Sequence, residues 1–150
     1  MKQTTAKKIN YGTLPELLGY HLRLTQLAVF KDFSQSMGDP DITPSLFGVL
    51  VIIDANPGLK QAELAEAVRL DRSTVVSSID KLERRKLVQR KRVEGDRRTN
   101  ALVLTDAGRA LLGRLLPQVE AHEKRLAANL TGPQRQTLIE LLSQVFPLNR

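Results

Sequence analysis

A mainly α-helical fold carrying one small β-hairpin is what this sequence predicts, and three observations predict it. Apolar residues recur at helical spacing over most of the chain. The period becomes strand-like in Leu87 to Val93 and Thr99 to Leu104, two Val- and Leu-rich runs around the polar tip Glu94-Gly95-Asp96-Arg97-Arg98. No Gly or Pro occurs between Gly58 and Gly95, so the stretch leading into that hairpin can be helical.

Taken in order, residues 1–10 read as a mobile basic tail. Leu14, Leu17, Leu18, His21, Thr25 and Ala28 form one stripe of a first helix, which Gly38-Asp39-Pro40 stops after about Met37. Thr43 is an N-cap with Pro44 at the first helical position. The helix Ser45 to Ala55 is apolar on nearly all sides and is expected to be buried. Asn56-Pro57-Gly58 ends it. Lys60 to Val68 reads as a short helix, Arg69-Leu70 as a turn, and Asp71 as the N-cap of a helix to about Arg85. Two helices joined by so short a turn are a helix-turn-helix candidate. Beyond the hairpin, Thr105 caps a long helix from Asp106 to about Asn129, with Pro117 expected to kink it. Thr131 with Gly132-Pro133 opens a last helix ending at Phe146 and Pro147.

Composition narrows the function. The chain has 150 residues, a formal net charge of +7 and no cysteine. Disulfides, thiolate zinc sites and iron–sulfur clusters are therefore excluded. No Gly-rich phosphate loop, paired-His metal motif or nucleophile motif occurs, so neither an enzyme nor a cofactor is expected. No apolar run is long enough to span a membrane, and Met1 to Asn10 lacks the apolar core of a secretion signal. A soluble cytoplasmic protein is expected. The charge is concentrated: residues 60–104 hold 12 Lys plus Arg against 7 Asp plus Glu, whereas residues 1–59 are neutral. Those 45 residues contain no aromatic side chain, which argues against stacking on single-stranded nucleic acid or RNA.

A helix-turn-helix followed at once by a basic hairpin is a winged helix, with the second helix in the major groove and the hairpin on phosphates or the minor groove. Val75, Ile79 and Leu82 share the inward face of that second helix. Ser73, Ser77, Asp80, Lys81 and Arg84 lie opposite, with Thr74 and Val76 on the flanks. Ser73, Thr74, Val76 and Ser77 suit base edges and thymine methyl groups, while Arg72, Lys81 and Arg84 suit the backbone. Asp80 could accept from cytosine or orient Arg84 one turn later, and the second is favoured. Arg90, Arg92 and Arg97 are expected as phosphate contacts or solvated arm residues.

The segments Gln61-Ala62-Glu63-Leu64-Ala65, Asp71-Arg72-Ser73-Thr74-Val75, Leu82-Glu83-Arg84-Arg85, Leu87-Val88, Asp96-Arg97-Arg98 and Leu104-Thr105-Asp106-Ala107-Gly108 together resemble the MarR family of bacterial transcriptional regulators. The resemblance implies a winged helix over residues 41–104, flanked by dimerisation helices at 11–40 and 105–150. It marks Asp96 and Arg98 as a pair in which Arg98 enters the minor groove and Asp96 holds the tip or the arginine. It also implies a homodimer reading a pseudo-palindromic double-stranded operator. Lys86 stands where such proteins usually carry Gly. If that position is left-handed, Lys costs roughly 1 kcal/mol relative to Gly.

Many members are repressors released by small aromatic or anionic ligands bound between the dimer helices and the winged domain. Some sense oxidants through a thiol, which this chain lacks. His21 is either a core or interface histidine, or a donor to a phenolic or carboxyl group of an effector, with Tyr20 and Phe47 as aromatic neighbours. Leu18-Gly19-Tyr20-His21-Leu22-Arg23 and Ala28-Val29-Phe30 resemble members that answer to hydroxycinnamoyl-CoA thioesters, which implies an aromatic effector or an aromatic CoA thioester. The alternative is a winged-helix module for protein–protein interaction, for which a basic hairpin tip has little use.

Overall fold

The computed structural model of the chain describes residues 9–93 and 96–145, with the side chains of residues 93 and 96–99 outside that description. A 3-10 turn at Leu14–Glu16 precedes α1 (Leu18–Ser36), α2 (Pro44–Ala55), β1 (Leu59–Lys60), α3 (Gln61–Val68), α4 (Arg72–Arg84), β2 (Val88–Val93), β3 (Asp96–Leu104), α5 (Asp106–Leu126) and α6 (Gly132–Val145). The mainly helical fold class with a hairpin wing is borne out. Residues 1–8 of the expected basic tail, the tip residues Glu94 and Gly95, and the expected stop at Phe146 and Pro147 lie outside the described residues.

The first helix starts later than its stripe suggests. Leu17 is extended (φ −93°, ψ 124°) and separates the 3-10 turn at Pro15 from α1. A stripe counted across Leu17 therefore joins two elements. His21 spans the break, its Nε2 donating to the carbonyl of Pro15 at 2.8 Å.

Capping fixes most of the other starts. Thr43 Oγ1 accepts from the Leu46 N–H at 3.2 Å, with Pro44 at the first helical position as expected. Lys60 N–H donates to Glu63 Oε2 at 2.8 Å, and Asp71 Oδ1 accepts from the Thr74 N–H at 2.9 Å. Thr131 and Gln134 satisfy each other's N–H groups at the start of α6.

Both helices of the helix-turn-helix end in the same way. Arg69 (φ 55°) and Lys86 (φ 58°) are left-handed. The residue after each donates five positions back, Leu70 to Ala65 and Leu87 to Leu82. These are Schellman closures with a cation where glycine is usual. Lys86 is thus left-handed despite its side chain.

The sheet has one strand more than the sequence suggests. β1 pairs with β3 through Leu59↔Leu102 and Lys60↔Ala101, giving the antiparallel order β1-β3-β2. Two residues are too short to display an alternating pattern, so β1 leaves no periodic signal. Between β2 and β3 the register shifts at Arg92/Val93.

Thr105 joins the sheet to α5. Its hydroxyl donates to the Lys86 carbonyl at 2.6 Å and accepts from the Gly108 N–H at 3.0 Å, while its own N–H donates to the Leu87 carbonyl. Gly108 packs directly on that strand entry: a Cβ there would lie 2.1 Å from the Leu87 carbonyl oxygen.

One core links these pieces. Leu46, Val49, Leu50 and Ile53 of α2 meet Leu64 of α3, Val75, Ile79 and Leu82 of α4, Leu102 and Leu104 of β3, and Leu111, Leu112 and Leu115 of α5. α1 adds only Phe33 from within the helix, and among the described residues none of α6 is buried. Leu18, Leu24, Leu27 and Phe30 on α1, and Leu138, Ile139, Leu141 and Leu142 on α6, are exposed. No helix among the described residues is long and apolar enough to cross a membrane.

Candidate nucleic-acid interface

Val75, Ile79 and Leu82 are fully buried, as their spacing requires, so the rotation of α4 about its axis is set. Its opposite side, formed by Ser77, Asp80, Glu83 and Arg84, lines an open groove of about 560 Å³. Val76 is 41% exposed, and Arg72, Ser73, Thr74, Ser77 and Arg84 are exposed around it.

Two of these side chains are already engaged. Ser73 Oγ and Thr74 Oγ1 donate to the two oxygens of Asp71, at 2.5 and 2.6 Å. Those hydroxyls, with the Thr74 N–H, hold the Asp71 carboxyl well below the usual carboxylate range. With their protons committed, Ser73 and Thr74 present only acceptor lone pairs to a ligand. Arg72, Val76 and Ser77 form the least encumbered part of the surface.

Three cations turn inward. Lys81 Nζ donates to the Asp41 carbonyl at 3.2 Å, and Arg85 forms an ion pair with Asp39. Arg90, on β2, is 19% exposed and pairs with Asp80 at 2.6 Å and Glu83 at 2.5 Å. Its Nε donates to Gln61 Oε1 of α3 at 3.2 Å, and its backbone N–H to Glu83 Oε1. These carboxylates raise the pKa of Arg90 against the opposing effect of burial. Arg90 therefore sits as a clamp joining α3, α4 and β2, and not as the solvated arm residue its place in a charge run suggested. The expected Asp80–Arg84 pairing is corrected in the same way. Arg84 Nε reaches only the backbone carbonyl of Asp80, whose carboxylate is taken by Arg90.

On the wing, Arg92 is exposed beside Lys91. The backbones of Asp96, Arg97 and Arg98 lie in β3, and their side chains are outside the described residues.

The candidate effector residues fall in two places. Tyr20 and His21 meet edge to face, with ring centroids 5.6 Å apart, and His21 is exposed within this chain. Phe47 packs against Phe33 on the core side. Among the described residues no ring contact joins Phe47 to the Tyr20–His21 pair.

Sequence reasoning missed the other histidine. His122 of α5 is buried, its Nδ1 lies 2.6 Å from Asp32 Oδ2, and its ring stands edge-on to Phe33. Arg125 bonds the same carboxylate at 2.9 Å. Arg125 first, then His122, keeps the Asp32 carboxyl well below its ordinary range. The available signal was an acid beside Phe33 on an apolar helix, and a histidine three residues after Val119.

Residues 41–99 match the MarR family. A "putative transcriptional regulatory protein for hcr operon" of Thauera aromatica is 36% identical over 91% of this chain and 82% of its own length. The transcriptional repressor CouR bound to a 23-mer DNA duplex superposes with a TM-score of 0.87 at 41% identity, covering 93% of this chain and 99% of that one. CouR bound to p-coumaroyl-CoA gives a TM-score of 0.85 at 39% identity, over 92% and 97%.

Proposed function

The chain belongs to the MarR family, and from that premise we propose that it is a dimeric repressor of transcription, released from its operator by an aromatic acid or its CoA thioester. It is a DNA-binding regulator and not an enzyme. The observation that carries this reading is the outer face of α4. It presents Arg72, Val76 and Ser77 on a helix whose rotation is fixed by three buried residues. Ser77 and Val76 read base edges, Arg72 and Arg84 hold phosphates, and Arg98 enters the minor groove beside Asp96, flanked by Arg92 and Arg97. The protein acts in the cytoplasm.

Dimerisation explains the apolar faces of α1, α5 and α6, which one chain leaves uncovered. The units are a DNA-binding module at 41–104 between dimerisation segments at 11–40 and 105–150. The effector reading rests on the likeness to a repressor solved with p-coumaroyl-CoA and on Tyr20 and His21. The Pro15 carbonyl accepts from Nε2 of His21, which leaves Nδ1 as the ring atom to meet a phenolic or carboxyl group. Phe47 packs on Phe33, farther along α1 and apart from the Tyr20–His21 pair.

Selection of bound duplexes from a random DNA pool tests the DNA reading, with a palindrome as the expected product. Failure to enrich any sequence would favour a protein-interaction module. Addition of p-coumaroyl-CoA to the selected complex tests the effector, and release should weaken in His21→Ala.

A further inference from the structure

Residues 37–43 connect α1 to α2, and α4 grips them from one side. The Asp39 carboxylate takes two guanidinium nitrogens of Arg85, Nη1 to Oδ1 at 3.3 Å and Nη2 to Oδ2 at shorter range. One turn earlier, Lys81 Nζ reaches the Asp41 carbonyl at 3.2 Å. Asp39 Oδ1 also accepts from the Asp41 N–H at 3.1 Å, which folds the connection back on itself. The Arg85 and Asp39 side chains are 30% and 17% exposed, so water competes only partly for the pair.

From the other side the connection is held by α5. The Gly38 N–H donates to Gln118 Oε1 at 2.7 Å. A Cβ at Gly38 would crowd Gln118 Nε2 at 3.3 Å. Met37 and Ile42 anchor the two ends in the core. The C-terminal half of α4 is thereby tied, through one short connection, to the helices whose apolar faces are uncovered.

The core packing between α2 and α5 also holds these parts together, but apolar packing has little directionality. A bidentate guanidinium–carboxylate pair is directional and fixes an angle as well as a distance.

We propose that Asp39 and Arg85 are positioning residues that lock α4 to the dimerisation helices and so set the half-site spacing the dimer accepts. The inference rests on the dimeric reading above. One added base pair shifts a half-site by about 3.4 Å and turns it by roughly 35°. A rigid joint refuses that shift, whereas a compliant one follows it.

The test uses full-length protein and the duplex selected by the wild type, compared with the same duplex carrying one base pair more or fewer at its centre. Asp39→Asn and Arg85→Met are expected to bind the unaltered duplex within about threefold of wild type, and to lose about tenfold of the preference for it. The charge-swapped pair Asp39→Arg with Arg85→Asp should recover part of that preference. Lys81→Met should relax it in the same direction. Loss of stability alone lowers the active fraction equally for every duplex and leaves the ratio unmoved. Should Arg85→Met fail to fold, the isosteric Asp39→Asn decides. Dimeric variants that keep the wild-type ratio overturn the proposal. Sedimentation of the wild type separates the two readings: a monomer removes the dimer and this proposal with it, whereas a dimer with unchanged ratios removes this proposal alone.

Discussion

Lys86 holds a left-handed backbone (φ 58°) at the turn from α4 into β2, where its side chain makes the conformation costly. Lys86→Gly is therefore expected to stabilise the fold by about 1 kcal/mol, read as a higher urea midpoint at unchanged slope. Arg90 makes a different point. Its charge is spent on Asp80 and Glu83, so Arg90→Met should weaken binding to the selected duplex while leaving the salt dependence nearly unchanged. Arg98→Ala, by the minor-groove reading, should lower both, the salt slope by about one. Equal slope changes in the two variants would return Arg90 to the phosphate contacts. The difference between these arginines was not legible in the sequence. A run of basic residues does not say which of them faces a carboxylate brought near by folding, and Gln61 and Asp80 lie 29 and 10 positions from Arg90.

At the scale of elements, local chemistry was the legible part. Thr43, Asp71 and Thr105 cap the helices expected of them, because a cap needs only the next three residues. The inward face of α4 followed from spacing alone. β1, the break at Leu17 and the His122–Asp32 contact were not legible, since each depends on chain remote from it or on too few residues to make a pattern. The junction at Thr105 shows how tightly two elements can be tied. Gly108→Ala would drive a methyl group into the Leu87 carbonyl and should cost about 2–3 kcal/mol, measured by denaturant unfolding. Two carboxylates stitch elements together, Asp32 between α1 and α5 and Asp39 between the α1–α2 connection and α4, and a third, Asp71, caps α4. All three are held below their unfolded values by donors. The unfolded chain therefore binds protons first as pH falls. The stability they contribute is present above about pH 4 and is lost below it. Acid titration of the unfolding midpoint should show that loss, and Asp32→Asn should flatten it.

For the whole molecule, α6 poses the question of what covers it. Leu138 and Leu142 lie one turn apart on an exposed face, and Leu116, Val119 and Ala127 line an apolar groove of about 460 Å³ with Arg135. If this surface is buried between two copies, stability is linked to association, and the melting temperature should rise with protein concentration. Leu142→Glu is expected to shift sedimentation to the monomer and to cost about 100-fold in affinity for the selected palindrome. A monomeric wild type at micromolar concentration would end the dimer reading.

The inward turn of Lys81, Arg85 and Arg90 has one more consequence. An estimate of grip from the segment's 12 basic residues counts these three as though each displaced condensed ions from DNA. Arg85 and Arg90 are paired with carboxylates and release none, and Lys81 is held on a backbone carbonyl away from the open face of α4. Operator occupancy should then fall less steeply with ionic strength than the sequence charge implies. In a cell whose potassium rises and falls with osmotic stress, repression by such a protein would be comparatively indifferent to the change.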